Sequence, residues 1–289
     1  MIQKFKVIFF SEVNSKFGYP ILMDLCDDDN FEVVAFVTTP EGRVCSYYDG
    51  EKEQVDLALY SRSRGIPVYK PEDIRDEKFI LELSRYHADY NIVANYQKIF
   101  DEKLIHLPNY MTLNFHPSPL PRYAGLAPFF LMARRGEKKS GVSCIKMSPT
   151  IDGGDIVMQK DIKLTGNETS LEIREKLFQA SFRLFKEVKR KITRGMLDYQ
   201  SQDRDKRLYF GNPKVSDMTI THKSSVQDAF NIMKSCAPKA AFLQIQGQLL
   251  SVISVGWVPK SNFIKYRLSD GSLYFVPEVQ RLKNDKTMC

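Results

Sequence analysis

Through the first 200 positions, short apolar runs rich in β-branched and aromatic residues alternate with stretches of helical periodicity. KVIFF (6–10), VVAFVT (33–38), IPVY (66–69), YNIVA (90–94), MTLNF (111–115), GVSCIKM (141–147) and DIVMQKDIKL (155–164) read as strands. Helices fit between them at about 17–26, 53–64, 76–87, 101–106 and 126–135. Such alternation predicts βαβ units on a parallel sheet. TSLEIREKLFQASFRLFKEVKRKI is the clearest helix: Thr169 and Glu172 have capping-box spacing, and Leu171, Ile173, Leu177, Phe182, Leu184 and Phe185 form an apolar side.

From Gly195 onward the pattern changes. GMLDYQSQDRDKRLYFGNPKVSDM is polar and irregular and reads as a linker. One helix, about 225–236, and the alternating runs AFLQIQG, QLLSVISVGWV, NFIKYRL and SLYFVPEV follow, with the hairpin dipeptide Asp270-Gly271 between the last two. The expected architecture is α/β: a Rossmann-like parallel-sheet domain over 1–200 and a smaller β-rich, barrel-like (OB-like) domain over 205–289.

Within the first domain, TLNFHPSPLPRY stands out. Along a strand, Asn114 and His116 share one face and Leu113 and Phe115 the other. Proline cannot donate to a ladder, so the strand stops after His116 and the pair faces an opening loop. Asp152, in TIDGGDIV, precedes two glycines that let the backbone turn sharply. If the strands MTLNF and GVSCIKM both open at the carboxyl edge of one parallel sheet, that loop brings the carboxylate over a neighbouring strand end, where ligands of open α/β sheets gather. Together the three suit acyl transfer to an amine. Asn114 donates to an oxygen that becomes an oxyanion; His116 stabilises that charge or moves a proton; Asp152 orients the imidazole and helps take the proton lost by the attacking ammonium. Taken singly, each has a plainer reading as a strand-end histidine, a turn asparagine or an Asp-Gly-Gly turn.

Composition narrows the chemistry. No G-x-G-x-x-G follows the first strand and no Walker motif occurs, which argues against a nicotinamide enzyme despite the α/β pattern. Five scattered cysteines without a C-x-x-C pair and four dispersed histidines give neither a disulfide framework nor a metal site, so no metal is expected. No apolar run reaches membrane-spanning length, and MIQKFKVIFFSEVNS suits a first strand better than a secretory signal; a cytoplasmic protein with no membrane partner is expected. The net charge of +7 is lopsided: residues 1–200 carry 29 Lys and Arg against 28 Asp and Glu, residues 201–289 carry 13 against 7. The tail therefore either meets an anion such as RNA or a nucleotide or is simply a solvated basic surface.

LNFHPSPLPRYAGLAP, followed by GEKKSGVSCIKMSPTIDGGDIV, closely resembles the signature of the 10-formyltetrahydrofolate-dependent formyltransferases: N-x-H, then S-L-L-P-R-Y-x-G, then an Asp in a loop of the L-D-x-G-D kind. Pro119 departs from the usual first leucine. The resemblance covers about residues 1–200 and implies transfer of a formyl group from 10-formyltetrahydrofolate to a primary amine, without a metal, by Asn114, His116 and Asp152. It further implies folate contacts from Ser118, Pro119, Leu120 and Pro121, a pterin held mostly by the backbone of Tyr96, Gln97, Lys98 and Ile99, and closure on the other side by the loop carrying Met147, Thr150 and Ile151. TITHKSSVQDAFNIMKSCAP is similar to the C-terminal domain of methionyl-tRNA and many sugar formyltransferases, which disfavours glycinamide ribonucleotide as acceptor. The basic tail favours tRNA. TTPEGRVCSYYDGEKEQ, with four acidic residues beside Arg43, and RLYFGNPKVSDMTI favour the sugar-modifying relatives. The expected acceptor is an amino sugar on a nucleotide carrier, with methionyl-tRNA as the alternative and a non-catalytic folate- or RNA-binding relative as the reading from another class. A homodimer is left open.

Overall fold

The computed structural model describes residues 4–45, 48, 52–259 and 263–278; Asp49, Glu51, Asn262, Val279 and Cys289, which figure in the sequence reading, lie outside them. The chain divides into two compact units. The larger comprises Met1–Leu126, Ser140–Lys163 and Lys176–Phe210; the smaller comprises Ala127–Lys139, Leu164–Glu175 and Gly211–Cys289. The division expected at 200–205 thus falls after Phe210, and two earlier segments join the smaller unit.

The larger unit begins with β1 (Phe5–Phe10), α1 (Gly18–Cys26), β2 (Phe31–Val37), α2 (Leu57–Ser63), β3 (Val68–Tyr69), α3 (Glu77–Ser84), β4 (Tyr90–Ala94), α4 (Glu102–Ile105) and β5 (Met111–His116). Asp56, Asp76 and Asp101 start α2, α3 and α4, each carboxylate accepting from a backbone N–H of the first turn. After β6 (Ala124–Gly125) and the smaller unit's α5 (Pro128–Arg135) come β7 (Lys139–Lys146), β8 (Ile156–Lys163), α6 (Ser170–Thr193) and β9 (Tyr209–Phe210). The main sheet has the order β3-β2-β1-β4-β5-β7-β8, and β9 pairs with β6 apart from it.

Strands β1 to β5 pair in parallel. Val7, Ile8, Phe9 and Phe10 are all fully buried, as a central parallel strand covered on both faces requires. Phe10, Val93, Tyr96, Phe100 and Leu104 share one core cluster beneath the carboxyl ends of β1 and β4. One expectation fails here: β7 runs antiparallel to β5, with Asn114 opposite Ile145 and His116 opposite Ser143. Periodicity reports which face a side chain takes and carries no information on strand direction.

The smaller unit contains β10 (Thr219–Ile220), α7 (Val226–Cys236), β11 (Ala241–Ile245), β12 (Gln248–Gly256), β13 (Ile264–Arg267) and β14 (Ser272–Pro277), its sheet ordered β10-β11-β12-β14-β13. Its core joins Ile220, Ile232, Leu243, Val252, Leu273 and Phe275 with Phe130 of α5. The β13–β14 hairpin forms where Asp270-Gly271 predicts it, with Leu268 N–H donating to Gly271 O at 2.8 Å. Among the described residues, no helix is long and apolar enough to cross a membrane.

Candidate active site

Strand β5 carries the first two groups. Asn114 and His116 are half-buried, while Leu113 and Phe115 are buried on the opposite face. Two residues along a strand separates their Cα atoms by about 7 Å. Among the described residues, no hydrogen bond engages the Asn114 carboxamide. After Pro117 the chain doubles back, so that Tyr123 O lies 3.1 Å from His116 Nε2 and also accepts from the Ser118 hydroxyl at 3.0 Å. A carbonyl only accepts, so Nε2 carries a proton. The other ring nitrogen, Nδ1, faces Asp152 Oδ1 at 3.7 Å, longer than a hydrogen bond. Asp152 Oδ2 accepts from Gly125 N–H at 2.8 Å. Thus one short segment, Tyr123 to Gly125, holds the imidazole by a carbonyl and the carboxylate by an N–H.

Asp152 arrives by a different route from the one expected. Because β7 is antiparallel, it ends level with Leu113, where Met147 N–H donates to Thr112 O at 2.8 Å, and the loop must run back to reach His116. Asp152 itself takes the left-handed conformation, φ 51°, which Asp tolerates better than most residues. The two glycines serve close approach rather than unusual φ. A Cβ at Gly154 would lie 1.9 Å from Lys146 O, and one at Gly153 would lie 2.6 Å from Thr150 Cγ2.

The stretch read as a linker contributes directly. Gln202 Nε2 donates to Asp152 O at 2.8 Å and Gly154 O at 2.6 Å, and Arg207 donates to Ile151 O at 2.5 Å. No motif marks either residue, and a polar irregular run gives no periodicity from which to find them.

The residues expected to hold a folate divide into two groups. Ser118, Pro119 and Leu120 are buried and Pro121 half-buried. Leu120 N–H donates to Ser143 Oγ at 3.1 Å, the Ser143 hydroxyl donates to Ser118 O at 2.7 Å, and Gln159 Nε2 donates to Leu120 O at 2.7 Å. The polar groups of this turn are taken up by Ser143 and Gln159 from neighbouring strands, and Leu120 is itself a core residue, so the turn presents little free surface of its own. Tyr96, Gln97, Lys98 and Ile99 instead follow β4, one residue past its end, beside β5. The Tyr96 hydroxyl is buried without a hydrogen-bond partner, and burial pushes its pKa up. Gln97 and Ile99 are exposed, and among the described residues no backbone bond engages the N–H of Lys98 or Ile99. Met147 packs against the cluster that contains Tyr96, and Thr150 and Ile151 are exposed.

At the end of β1 a cleft of about 420 Å³ is lined by Val13, Asn14, Val44, Tyr48, Gln54, Val55 and Asp56. With β4 between β1 and β5, two strand spacings, about 10 Å, separate its edge from His116's strand. Asn95, just past β4, bridges inward, its Nδ2 donating to Ser15 Oγ at 3.1 Å and to the Tyr48 hydroxyl at 3.2 Å. Among the described residues, no cluster of three or more His, Cys, Asp or Glu is arranged to hold a metal.

Residues 5–188 match the family model described as formyl transferase. The chain belongs to the formyl transferase family. It is 30% identical over 220 residues to the methionyl-tRNA formyltransferase of a Sulfurihydrogenibium species, covering 74% of this chain and 69% of the relative. Over 264 residues it is 26% identical to that of Bacillus cytotoxicus, covering 89% and 81%. Among solved structures, a sugar 3N-formyl transferase crystallised with dTDP and 5-N-formyl-THF aligns at TM-score 0.68 over 98% of this chain and all of that one, with 15% identity. The N-formyltransferase of Helicobacter canadensis, in complex with folinic acid and dTDP-3-aminofucose, aligns at 0.66 over 96% and 99%, with 16% identity. At these identities the structural likeness establishes a shared fold alone.

Proposed function

We propose that this formyl transferase moves a formyl group from 10-formyltetrahydrofolate to the primary amine of a nucleotide-linked amino sugar, using Asn114, His116 and Asp152. The observation that carries the reading is the Asp152 carboxylate, 3.7 Å from the one ring nitrogen of His116 that Tyr123 leaves available. The neutral amine attacks the formyl carbon; a C–N bond forms and the carbonyl π pair moves to oxygen. The Asn114 amide, without a hydrogen bond among the described residues, donates to that oxygen as its charge grows. The ammonium nitrogen loses its proton to the His116 Nδ1–Asp152 pair. As the oxyanion's pair re-forms the carbonyl and the bond from the formyl carbon to the donor nitrogen breaks, that nitrogen takes the bonding pair and the proton is passed to it.

The donor's flat ring suits the segment after β4: unpaired N–H groups at Lys98 and Ile99 supply hydrogen bonds, with Tyr96 and Gln97 alongside. Met147, Thr150 and Ile151 form the opposing wall, and Ser118 to Pro121 act as the packed turn that supports it. Folate-type ligands in the two sugar-modifying relatives support this assignment.

For the acceptor, the cleft beside β1 is lined by two carboxamides, a phenol and a carboxylate that are already bonded within the protein, with no Lys or Arg among its described lining residues. That chemistry fits hydroxyls and an amine better than phosphate. The aminofucose nucleotide in the Helicobacter relative points the same way. Methionyl-tRNA remains the second reading, favoured by the sequence relatives and by the basic excess of residues 201–289, 13 Lys and Arg against 7 Asp and Glu. The test is a panel of nucleotide-linked amino sugars and charged initiator tRNA, each with 10-formyltetrahydrofolate. Turnover of a sugar nucleotide is expected; turnover of the tRNA alone would reverse the acceptor, and none with any amine would remove the catalytic reading.

A further inference from the structure

We propose that Gln202 is a positioning residue for formyl transfer: it holds the Asp152 turn in the conformation that presents the carboxylate to His116. This rests on the function proposed above. Asp152 sits at φ 51°, a conformation that costs a non-glycine residue about 1–2 kcal/mol and persists only where surrounding bonds impose it. Within the turn itself, Gly153 N–H donates to Thr150 O at 3.0 Å. The rest of the constraint comes from outside. Gln202 Nε2 spans the glycine pair, donating to the carbonyls of Asp152 and Gly154 at 2.8 and 2.6 Å. Its Oε1 is buried without a partner among the described residues, which fixes the amide's orientation: reversed, an acceptor would face two acceptors. Arg207 adds a bond to Ile151 O, with its guanidinium 5.5 Å from the Tyr209 ring centre.

The segment bearing these side chains is itself anchored. Gln200 exchanges both backbone bonds with Ile156, at 2.8 and 3.0 Å. Leu208 N–H donates to Pro121 O at 3.1 Å and Leu208 O accepts from Ala124 N–H at 3.0 Å. One stretch of chain, 200–210, therefore braces the Asp152 turn and also the Tyr123–Gly125 segment that bonds His116 and Asp152. Loss of the Gln202 bonds frees the turn, and the first distance to lengthen is the one between carboxylate and imidazole.

The experiment compares Gln202→Glu, which keeps the shape but cannot donate, with Gln202→Lys, which restores a donor. Displacement of a reacting group by about 1 Å reduces turnover by about 100-fold, so Gln202→Glu is expected to lower kcat by about 30- to 100-fold. Tetrahydrofolate affinity, to which Thr150 and Ile151 of the same turn contribute, and melting temperature fall far less than kcat, and Gln202→Lys recovers part of the loss. The His116 ring ¹⁵N resonances, which report the Asp152 contact without any substrate, shift in Gln202→Glu. Unchanged kcat and resonances would overturn the proposal. So would a joint fall of kcat, folate affinity and melting temperature with no rescue by lysine. If the wild type transfers formyl to no amine, the functional reading fails, and the resonances alone decide whether Gln202 positions the pair. If Gln202→Glu does not fold, Gln202→Ala carries the same expectations at about tenfold in kcat.

Discussion

The two sides of His116 are built on different principles. Toward β4 and β1 the sheet is parallel, apolar and fixed by backbone register, and its strand ends arrive in step because neighbouring βα units repeat one geometry. Toward β7 and the Asp152 turn, pairing is antiparallel and the approach depends on side-chain donors from distant positions, Gln202 and Arg207, and on glycines that admit a carbonyl at close range. The first side sets where Asn114 and His116 stand; the second sets whether Asp152 reaches them. Damage to the first should read out as lost stability, and damage to the second as lost alignment.

The largest effects belong to the pair that spans the two sides. His116→Ala and Asp152→Ala are each expected to lower turnover by about 10²- to 10⁴-fold while leaving tetrahydrofolate binding largely intact. Steady-state kinetics beside folate titration checks this, and near-wild-type rates in either variant would take that residue out of the mechanism. Asn114, on the strand where the two sides meet, comes next. Asn114→Ala is expected to cost about 3 kcal/mol of transition-state stabilisation, roughly 100-fold in kcat, for one lost oxyanion donor. A change confined to acceptor KM would make it a positioning group instead.

The contrast also explains what could be read from the chain. Asn114 and His116 were legible because strand periodicity places both on one face and the prolines end the strand. Asp152 was legible as a turn, although its parts act differently from expectation: Asp152 holds the left-handed φ, and Gly154 is required by the Lys146 carbonyl. The direction of β7 was hidden, since an apolar run reads the same in either sense. Gln202 and Arg207 were hidden more deeply. Their roles depend on carbonyls about 50 positions earlier in the chain, and no local pattern encodes a bond across that separation. The bonds that hold Ser118 and Leu120 also come from Ser143 and Gln159 on β7 and β8, which a motif match cannot see.

Gly154→Ala sharpens the comparison on the side where close approach matters. The added Cβ meets Lys146 O at 1.9 Å, so the turn or the strand must shift. Overpacking of this kind costs about 1–3 kcal/mol, and the displaced turn should lower kcat as well. Gly211→Ala is the control, since nothing lies within 4 Å of a methyl group at that position. Thermal unfolding of both variants checks the difference; equal melting temperatures would mean that the turn yields without cost.

The smallest effect is expected on the parallel side, at Glu12. This residue follows β1, is 4% exposed, and ties three strand ends together. Its N–H donates to Asn95 O at 2.9 Å, its Oε1 accepts from Gln97 N–H at 3.1 Å, and Thr39, beyond β2, also bonds the carboxylate. Burial pushes its pKa above the ordinary 4.5, and the bonds from Gln97 and Thr39 and the nearby Lys98 charge offset only part of that. A carboxyl whose pKa is raised on folding contributes most to stability below its unfolded pKa, and the contribution is lost as pH rises through the folded value. Glu12→Gln keeps an acceptor for Gln97 and removes the buried charge. Its melting temperature should therefore match wild type below about pH 4.5 and exceed it increasingly at higher pH, by no more than a few degrees. A difference that is constant across pH, or that grows as pH falls, would show that Glu12 acts through its shape or through a stabilising charge, and the parallel side would then owe part of its alignment to electrostatics after all.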